Sequence, residues 1–314
     1  MNEFRRERGV ALVTALLVVA IAAATATALA RQQQLVIQRS ANVLNGEQAW
    51  LYAVGAEAFA RQVLRRDAGD GDLDHPGEGW ATLVPPTAVD GGDLFGRLED
   101  LQGRFNLNNL VDDTGPDEAQ VALFQRLLRL LELPPDAAWN VVDWLDADQD
   151  PSPAGGVEDL EYLRRDPAYR TSGRPLSSPS ELLMIEGFDM AAYRRLEPFV
   201  TALPTRTPLN VNTATGEILQ ALLGPLPEDV AETLRVRGED DAFADVEAFL
   251  DQVEVLTGDA PRAELAALPL AVGSRHFLFE GEARFGQGRV RIATLLVREA
   301  DGRVTSRRRS RLEL

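Results

Sequence analysis

Residues 143 to 159 read Asp143-Trp-Leu-Asp146-Ala-Asp148-Gln-Asp150-Pro-Ser-Pro-Ala-Gly-Gly-Val-Glu158-Asp159, the densest run of carboxylates in the chain. Oxygen ligands two residues apart at Asp146, Asp148 and Asp150 can converge on one hard cation if the chain curls around it. Left without one, such charges raise each other's pKa values and oppose folding. The run is not an EF-hand: counted from Asp146, the sixth position is Pro151 where Gly is required, and the twelfth is Val157, with Glu158 one place late. Ca²⁺ suits it best, since several carboxylates, an irregular loop and spare carbonyls match a shell of 6–8 oxygens. Mg²⁺, with stricter geometry, comes second, and a solvated acidic loop is the competing reading. The expected ligands are Asp146, Asp148, Asp150, Glu158 and Asp159, with backbone carbonyls completing the shell.

Other chemistry is poorly supplied. Cys is absent, which excludes disulfides, thiol nucleophiles and thiolate metal sites. His75 and His276 are too few and too far apart for a zinc site or a hydrolase triad, and read as surface or satisfied side chains. The Asp146/Asp148 pair of a phosphotransferase would end a buried strand, whereas here it ends a helical pattern. No enzyme is expected.

The elements that must carry this loop begin with Arg5-Arg6-Glu7-Arg8-Gly9, followed by an uncharged run from Val10 to Ala30. As a helix that run is about 31 Å long, the hydrocarbon thickness of a bilayer. A secretory signal is shorter and ends in a small-residue cleavage site. The leader is net +1, so the N-terminus is expected in the cytoplasm and the bulk outside the inner membrane. Formal charge is −17 overall; the leader carries +1 and Arg303–Leu314 +4, leaving −22 on Val10–Gly302. Such a surface repels phosphate backbones and attracts cations.

Leu44, Leu51, Val54 and Ala58 continue one helical face, so the helix is expected to reach about Arg66. Residues 68–93 read as loop, and Leu94–Leu101 and Gly103–Leu110 as short strands. From Gly115 the period becomes helical, with Pro116 in a first turn, then Val121–Leu131 and Ala138–Leu145. Further helices are expected at Ser180–Met184, Ala191–Leu196, Ala214–Leu223, Pro227–Arg237 and Phe243–Val253. Strands return at His276–Phe285 and Arg289–Arg298, and Asp301-Gly302 signals a hairpin to Arg303–Arg309. This is an antiparallel sheet interrupted by a helical insertion.

Ser180-Glu-Leu-Leu-Met-Ile-Glu-Gly187-Phe-Asp-Met-Ala-Ala-Tyr and Leu209-Asn-Val-Asn-Thr-Ala-Thr-Gly through Leu250 resemble helix-hairpin-helix units. In DNA binders the hairpin amides hold a phosphate flanked by basic residues. Here Glu186, Asp189, Glu228 and Asp229 flank them, and residues 205–260 hold three Arg against twelve acids. A packing role is expected. Arg307-Arg-Arg-Ser-Arg311 reads as a solvated or edge-protecting strand.

The N-terminal segment resembles a type IV prepilin leader, which implies cleavage by prepilin peptidase between Gly9 and Val10. The Glu usual at the fifth mature position is Thr14, and Val10 replaces the usual Phe. Together with Leu98-Glu-Asp-Leu-Gln-Gly-Arg-Phe-Asn-Leu-Asn-Asn-Leu, Asp143-Trp-Leu-Asp, Gly156-Val-Glu-Asp, Arg174-Pro-Leu, Ser180-Glu-Leu and Pro208-Leu-Asn-Val-Asn-Thr, the whole chain resembles the K-type minor pseudopilins of type II secretion systems. That resemblance implies an α+β, type IV pilin-like fold: a long transmembrane and stem helix on an antiparallel sheet, with a large calcium-binding helical insertion. The expected division is a leader at 1–9, a transmembrane segment at 10–30, and stem plus first pilin-like part at 31–112. The insertion follows at 113–270 and closing strands at 271–314. It also implies I-type and J-type minor pseudopilins and the major pseudopilin fibre as partners, a place at the pseudopilus tip, and no nucleic acid. The alternative is a membrane-anchored helix-hairpin-helix DNA receptor of a competence system.

Overall fold

In the computed structural model the described backbone covers residues 3–69, 71–82, 84–152, 155–224, 227–236, 238–258 and 260–312. One helix, α1 (Glu3–Asp67), runs 65 residues without a break. It is long and apolar enough to cross a membrane, with a window of mean hydropathy 2.4, and among the described residues it is the one helix that is.

Two strands follow, β1 (Val84–Val89) and β2 (Gly92–Asp100). The first lies where loop was expected. Pro85 and Pro86 break the alternation that announces a strand, and β1 tolerates them because it is a sheet edge with a register shift between Val84 and Thr87.

The helical insertion contains α2 (Glu118–Leu130), α3 (Ala137–Leu145), α4 (Asp159–Tyr162), α5 (Met190–Leu196), α6 (Gly216–Leu223), α7 (Glu228–Leu234), α8 (Val246–Thr257) and α9 (Ala260–Leu265). The short α4 and α9 were not expected. Pro116 precedes the cap residue Asp117 instead of lying within α2, α8 starts at Val246 under an Asp245 cap, and Pro179–Met184 is a 3₁₀ turn. The expected strand at Gly103–Leu110 is extended only at Phe105–Asn106 and then coils into a 3₁₀ turn.

Asparagines cause that departure. Asn106 Oδ1 accepts from the Leu203 N–H at 3.1 Å, Asn108 Nδ2 donates to the carbonyls of Leu176 and Leu203, and Asn109 Nδ2 donates to the Thr207 carbonyl. These side chains take the place of a longer strand ladder, clasping the segment that leaves the sheet to Leu176 and to residues 203–207 of the insertion. Phe124, Leu128, Val141, Val142, Tyr162, Leu196 and Phe249 form a core of the insertion.

The chain then completes the sheet with β3 (His276–Phe285), β4 (Gly288–Arg298) and β5 (Val304–Leu312). The order is β1-β2-β3-β4-β5, antiparallel throughout. The helix meets it through Ala49, Ala53, Ala56, Ala60 and Leu64, packed on Phe277, Phe279, Ile292 and Leu296. The face expected from Leu44, Leu51, Val54 and Ala58 is not the buried one: Leu44 and Leu51 are 65% and 62% exposed. Small side chains let the helix axis approach the strands, so the more apolar stripe stays outside.

Glu57 is the charged exception in this interface. It is wholly buried and accepts from Thr294 Oγ1 (2.9 Å), Ser306 Oγ (2.6 Å) and Arg309 Nε (2.5 Å). Burial pushes its carboxyl up, but those donors and the Arg309 charge outweigh it, and the net shift is downward.

The sheet has two distinct ends. Gly286 and Gly288 lie against Asn45, where a Cβ on Gly288 would come within 2.5 Å of the Asn45 backbone. At the other end Arg298 holds Asp67 (2.5 Å) and Asp74 (3.1 Å), and the Leu101 N–H donates to the His276 carbonyl. Residues 45 to 67 of a helix span about 33 Å. The insertion, which leaves β2 at Asp100 and rejoins β3 at His276, therefore grows from the sheet end farthest from the apolar part of α1.

Candidate metal centre

Helix α3 buries Ala138, Val141, Val142 and Leu145 in the insertion core, and its period carries Asp143 and Asp146 on one face. Asp146 is the C-cap, already extended, with its N–H still bonded to the Val142 carbonyl. The following loop folds back, and Ser152 donates to Asp143 from both its N–H and its hydroxyl. Gly156 then passes the Asp143 carboxylate, and Glu158, preceding α4, brings a third carboxylate inward.

Asp143, Asp146 and Glu158 each offer an oxygen within 4.8 Å of the other two. Asp143 is 0% and Glu158 5% exposed. Both carboxylate oxygens of Glu158 and Oδ1 of Asp146 are buried without any hydrogen-bond donor. Burial first, then the neighbouring acids, push Glu158 up to about 7 and Asp146 up to about 6. Burial also raises Asp143, against the bonds from Ser152. Unpartnered oxygens of Asp146 and Glu158 beside Asp143, which is bonded to Ser152, form an all-oxygen set chemically suited to a hard cation.

Of the expected ligands, Asp146 and Glu158 belong to this cluster and three do not. Asp148 and Asp150 are exposed, and Asp148 Oδ1 takes the Asp150 N–H at 2.9 Å in a local turn. Asp159 turns away: it accepts from the Thr171 N–H (2.9 Å) and hydroxyl (3.0 Å) and pairs with Arg170 (2.9 Å). Burial pushes its carboxyl up, but Thr171 and Arg170 outweigh it, so Asp159 titrates below its usual range. Adjacent residues at a helix start point in different directions, so Glu158 and Asp159 cannot both face one centre. Asp143 was missing from the expected set. Its three-residue spacing to Asp146 on a helical pattern, with a glycine pair thirteen residues on, was the available signal. Gly9 and Val10, the expected processing residues, have side chains outside those described.

Both histidines are buried and satisfied. His75 Nδ1 accepts from the Gly77 N–H (3.1 Å), and His276 Nδ1 lies 3.0 Å from Gln102 Oε1. The hairpin at Gly187 is packed as well. The Glu186 N–H donates to the Tyr162 hydroxyl, the Glu186 carbonyl accepts from Asn140, and Gly187 sits against Ala137. Those groups are committed to the protein interior, not offered to a phosphate.

Residues 103–205 and 209–268 match two family descriptions, both for type II secretion system (T2SS) protein K. The Type II secretion system protein K of Pseudomonas aeruginosa is 39% identical over 313 residues, covering 96% of this chain and 91% of the relative. The chain belongs to the type II secretion system protein K family. The Klebsiella pneumoniae member is 32% identical over 94% of this chain and 93% of its own length. A chain in the crystal structure of the GspK-GspI-GspJ complex from enterotoxigenic Escherichia coli superposes with a TM-score of 0.77 at 25% identity, over 88% of this chain and 100% of that one. The pilin-like sheet, long helix and helical insertion are thus those of a K-type minor pseudopilin in type II secretion, and the DNA-receptor alternative is not favoured.

Proposed function

We propose that this chain caps the periplasmic tip of the type II pseudopilus and initiates its assembly together with I-type and J-type minor pseudopilins over the major pseudopilin fibre. In that place it supports export of folded proteins across the outer membrane and catalyses no reaction. The observation that carries the reading is the placement of the insertion at the sheet end farthest from the apolar helix, where a subunit stacked above would have to sit.

Two features support it. The Thr14 hydroxyl bonds to the Ala11 carbonyl of its own helix at 3.0 Å. A carboxylate in hydrocarbon costs about 2.5–3.5 kcal/mol on insertion scales, so the Glu usual in pilin-like chains needs a neighbour's amine, and a terminal subunit has no subunit above to provide one. The exposed Leu44, Leu51 and Phe59 leave an apolar stem face available to the helices of subunits below.

On this reading α1 crosses the inner membrane once with the N-terminus in the cytoplasm, and prepilin peptidase cuts after Gly9, after which the Val10 amine is methylated. Asp143, Asp146 and Glu158 hold a structural Ca²⁺, which supplies the positive charge that lets the 146–158 loop close on α3. Co-expression of the full chain with I-type and J-type minor pseudopilins tests the assembly. A complex of one copy each is expected, and a chain that purifies alone in their presence would count against it. Mass analysis of membrane-extracted protein tests the leader: a retained Met1 would refute the cleavage.

A further inference from the structure

The chain leaves β2 at Asp100 for the insertion and rejoins β3 at His276, and charged side chains are buried at this neck. Asp74, in the loop after α1, is 0% exposed, Asp100 6% and Arg298 7%. Arg298 donates to Asp67 at 2.5 Å and to Asp74 at 3.1 Å. Oxygens of Asp67, Asp74 and Glu78 lie within 4.8 Å of one another. A single guanidinium thus bridges two carboxylates, and Glu78 adds a third beside them.

Ser274 links Asp74 to Asp100. Its N–H donates to Asp74 Oδ2 at 2.7 Å and its hydroxyl to Asp100 Oδ2 at 2.6 Å. Asp100 also accepts from Thr213 Oγ1 (2.5 Å), Asn210 Nδ2 (3.0 Å) and the Gln102 N–H (2.8 Å), so four donors satisfy it as an ion. Asp74 has donors on Oδ2 alone. Its Oδ1 is buried without one and is the oxygen on which a proton can sit. Burial pushes the Asp74 carboxyl up to about 7; the Arg298 charge and the Ser274 N–H pull it down, and Asp100 and Asp67 add to the rise. His75 and Glu78 share its loop, and His276 begins β3. Asp72, Arg206, Asp245, Arg275 and Glu299 line a cleft of about 640 Å³ that opens beside the network.

We propose that the Asp74 carboxyl is a proton-held latch at the neck: protonated, it stays buried and fixes the insertion to the stem and sheet; ionised, it is drawn to water in the adjacent cleft and the neck opens. Ionisation sets Asp74 against Asp67, Glu78 and Asp100, and opening lets water reach Oδ1. A carboxyl raised in the closed form contributes stability that is fully present below its ordinary 3.8 and is lost as pH rises through about 7. The latch therefore holds in mildly acid surroundings and slackens above neutrality. His276, held down at about 4, works in the opposite direction, since its protonation favours opening at low pH. The inference does not depend on the metal centre or on where in the fibre the chain sits.

The test uses hydrogen exchange of the full chain in detergent micelles, read at the neck amides of Asn210 and Ser274, which bond to the Gln102 carbonyl and to Asp74. The comparison is Asp74→Asn, which cannot ionise, and the ratio of parent to variant opening cancels His276 and the intrinsic pH dependence of exchange. That ratio should rise about ten-fold between about pH 6 and 8.5. Asp67→Asn, which leaves Arg298 to Asp74 alone, should shrink the rise, and it serves as the comparison if Asp74→Asn does not fold. A ratio that does not change with pH, or an Asp67→Asn protein with the parent's full rise, would overturn the proposal. So would a rise abolished by Ca²⁺ in the Glu158→Gln background, which would show a cation and not a proton at this cluster.

Discussion

Gly156 passes so close to Asp143 that a Cβ on the glycine would fall 1.9 Å from Oδ2 of the carboxylate. The contact joins the end of the acidic loop to the helix that begins it, and lets Glu158, two residues on, enter the same centre. A side chain at 156 must displace either Asp143 or the loop. Gly156→Ala is therefore expected to weaken Ca²⁺ binding at least ten-fold, about 1.4 kcal/mol, measured by calorimetric titration of the full chain. Unchanged affinity would mean that the loop closes independently of the cation.

Glu158 gives a prediction whose sign depends on the metal. Its carboxylate is buried with no donor, so without a cation it opposes folding, and on the proposed reading it becomes a ligand when Ca²⁺ binds. Glu158→Gln should melt above the parent in chelator and below it in Ca²⁺. A cation at a hundred-fold excess over its Kd contributes about 2.7 kcal/mol to the parent, which the variant largely loses. Asp150→Asn, at an exposed position, should follow the parent in both conditions. An Asp150 variant that lost the calcium response while Glu158→Gln kept it would count against the cluster of Asp143, Asp146 and Glu158 and favour the alternation at 146, 148 and 150.

Much of the architecture was legible in the sequence because it rests on periods. The long apolar helix, the helical insertion and the closing hairpin all carry uninterrupted patterns, and Asp301-Gly302 marks the turn before β5. The failures come from contacts between segments far apart in sequence. No local pattern shows that Ala49, Ala53, Ala56 and Ala60 form the buried face, since their advantage is close approach to a sheet some 230 residues later. The carboxylate cluster was half legible. Alternation at 146, 148 and 150 suggested a loop wrapped around an ion, whereas helix α3 contributes Asp143 through its own period, and Thr171 and Arg170 claim Asp159.

The buried pair of Glu57 and Arg309 predicts a large asymmetric cost. Arg309→Ala leaves a fully buried carboxylate with Thr294 and Ser306 as hydrogen-bond donors and the Arg61 guanidinium 3.8 Å away. Removing one partner of a buried ion pair costs about 3–5 kcal/mol, and the partial exposure of Arg309 favours the lower end. Glu57→Gln, which keeps an acceptor oxygen for the hydroxyls, should cost less. Urea unfolding of both variants in detergent measures this, and equal small losses would mean that the stem is held by its alanine face alone.

His276 sets an acid limit. Burial, and secondarily the Arg275 charge, hold its imidazole down at about 4 from an ordinary 6.5. A base depressed in the folded state contributes stability that is fully present above about pH 6.5 and is lost as pH falls through 6.5 towards 4, amounting to about 3 kcal/mol. His276→Gln should flatten the acid limb of stability measured in chelator. Asp74, pushed up to about 7 by burial, acts in the opposite sense and is common to both proteins. Parallel acid limbs in parent and variant would show that His276 is not the group taking up the proton.

The central claim is that the helical insertion ends the fibre. Assembled pseudopili carrying an affinity tag in the exposed Asp148–Asp150 loop can be decorated with gold and counted by electron microscopy. One particle at a single, distal end of each fibre is the predicted result. Particles repeated along the shaft would contradict it.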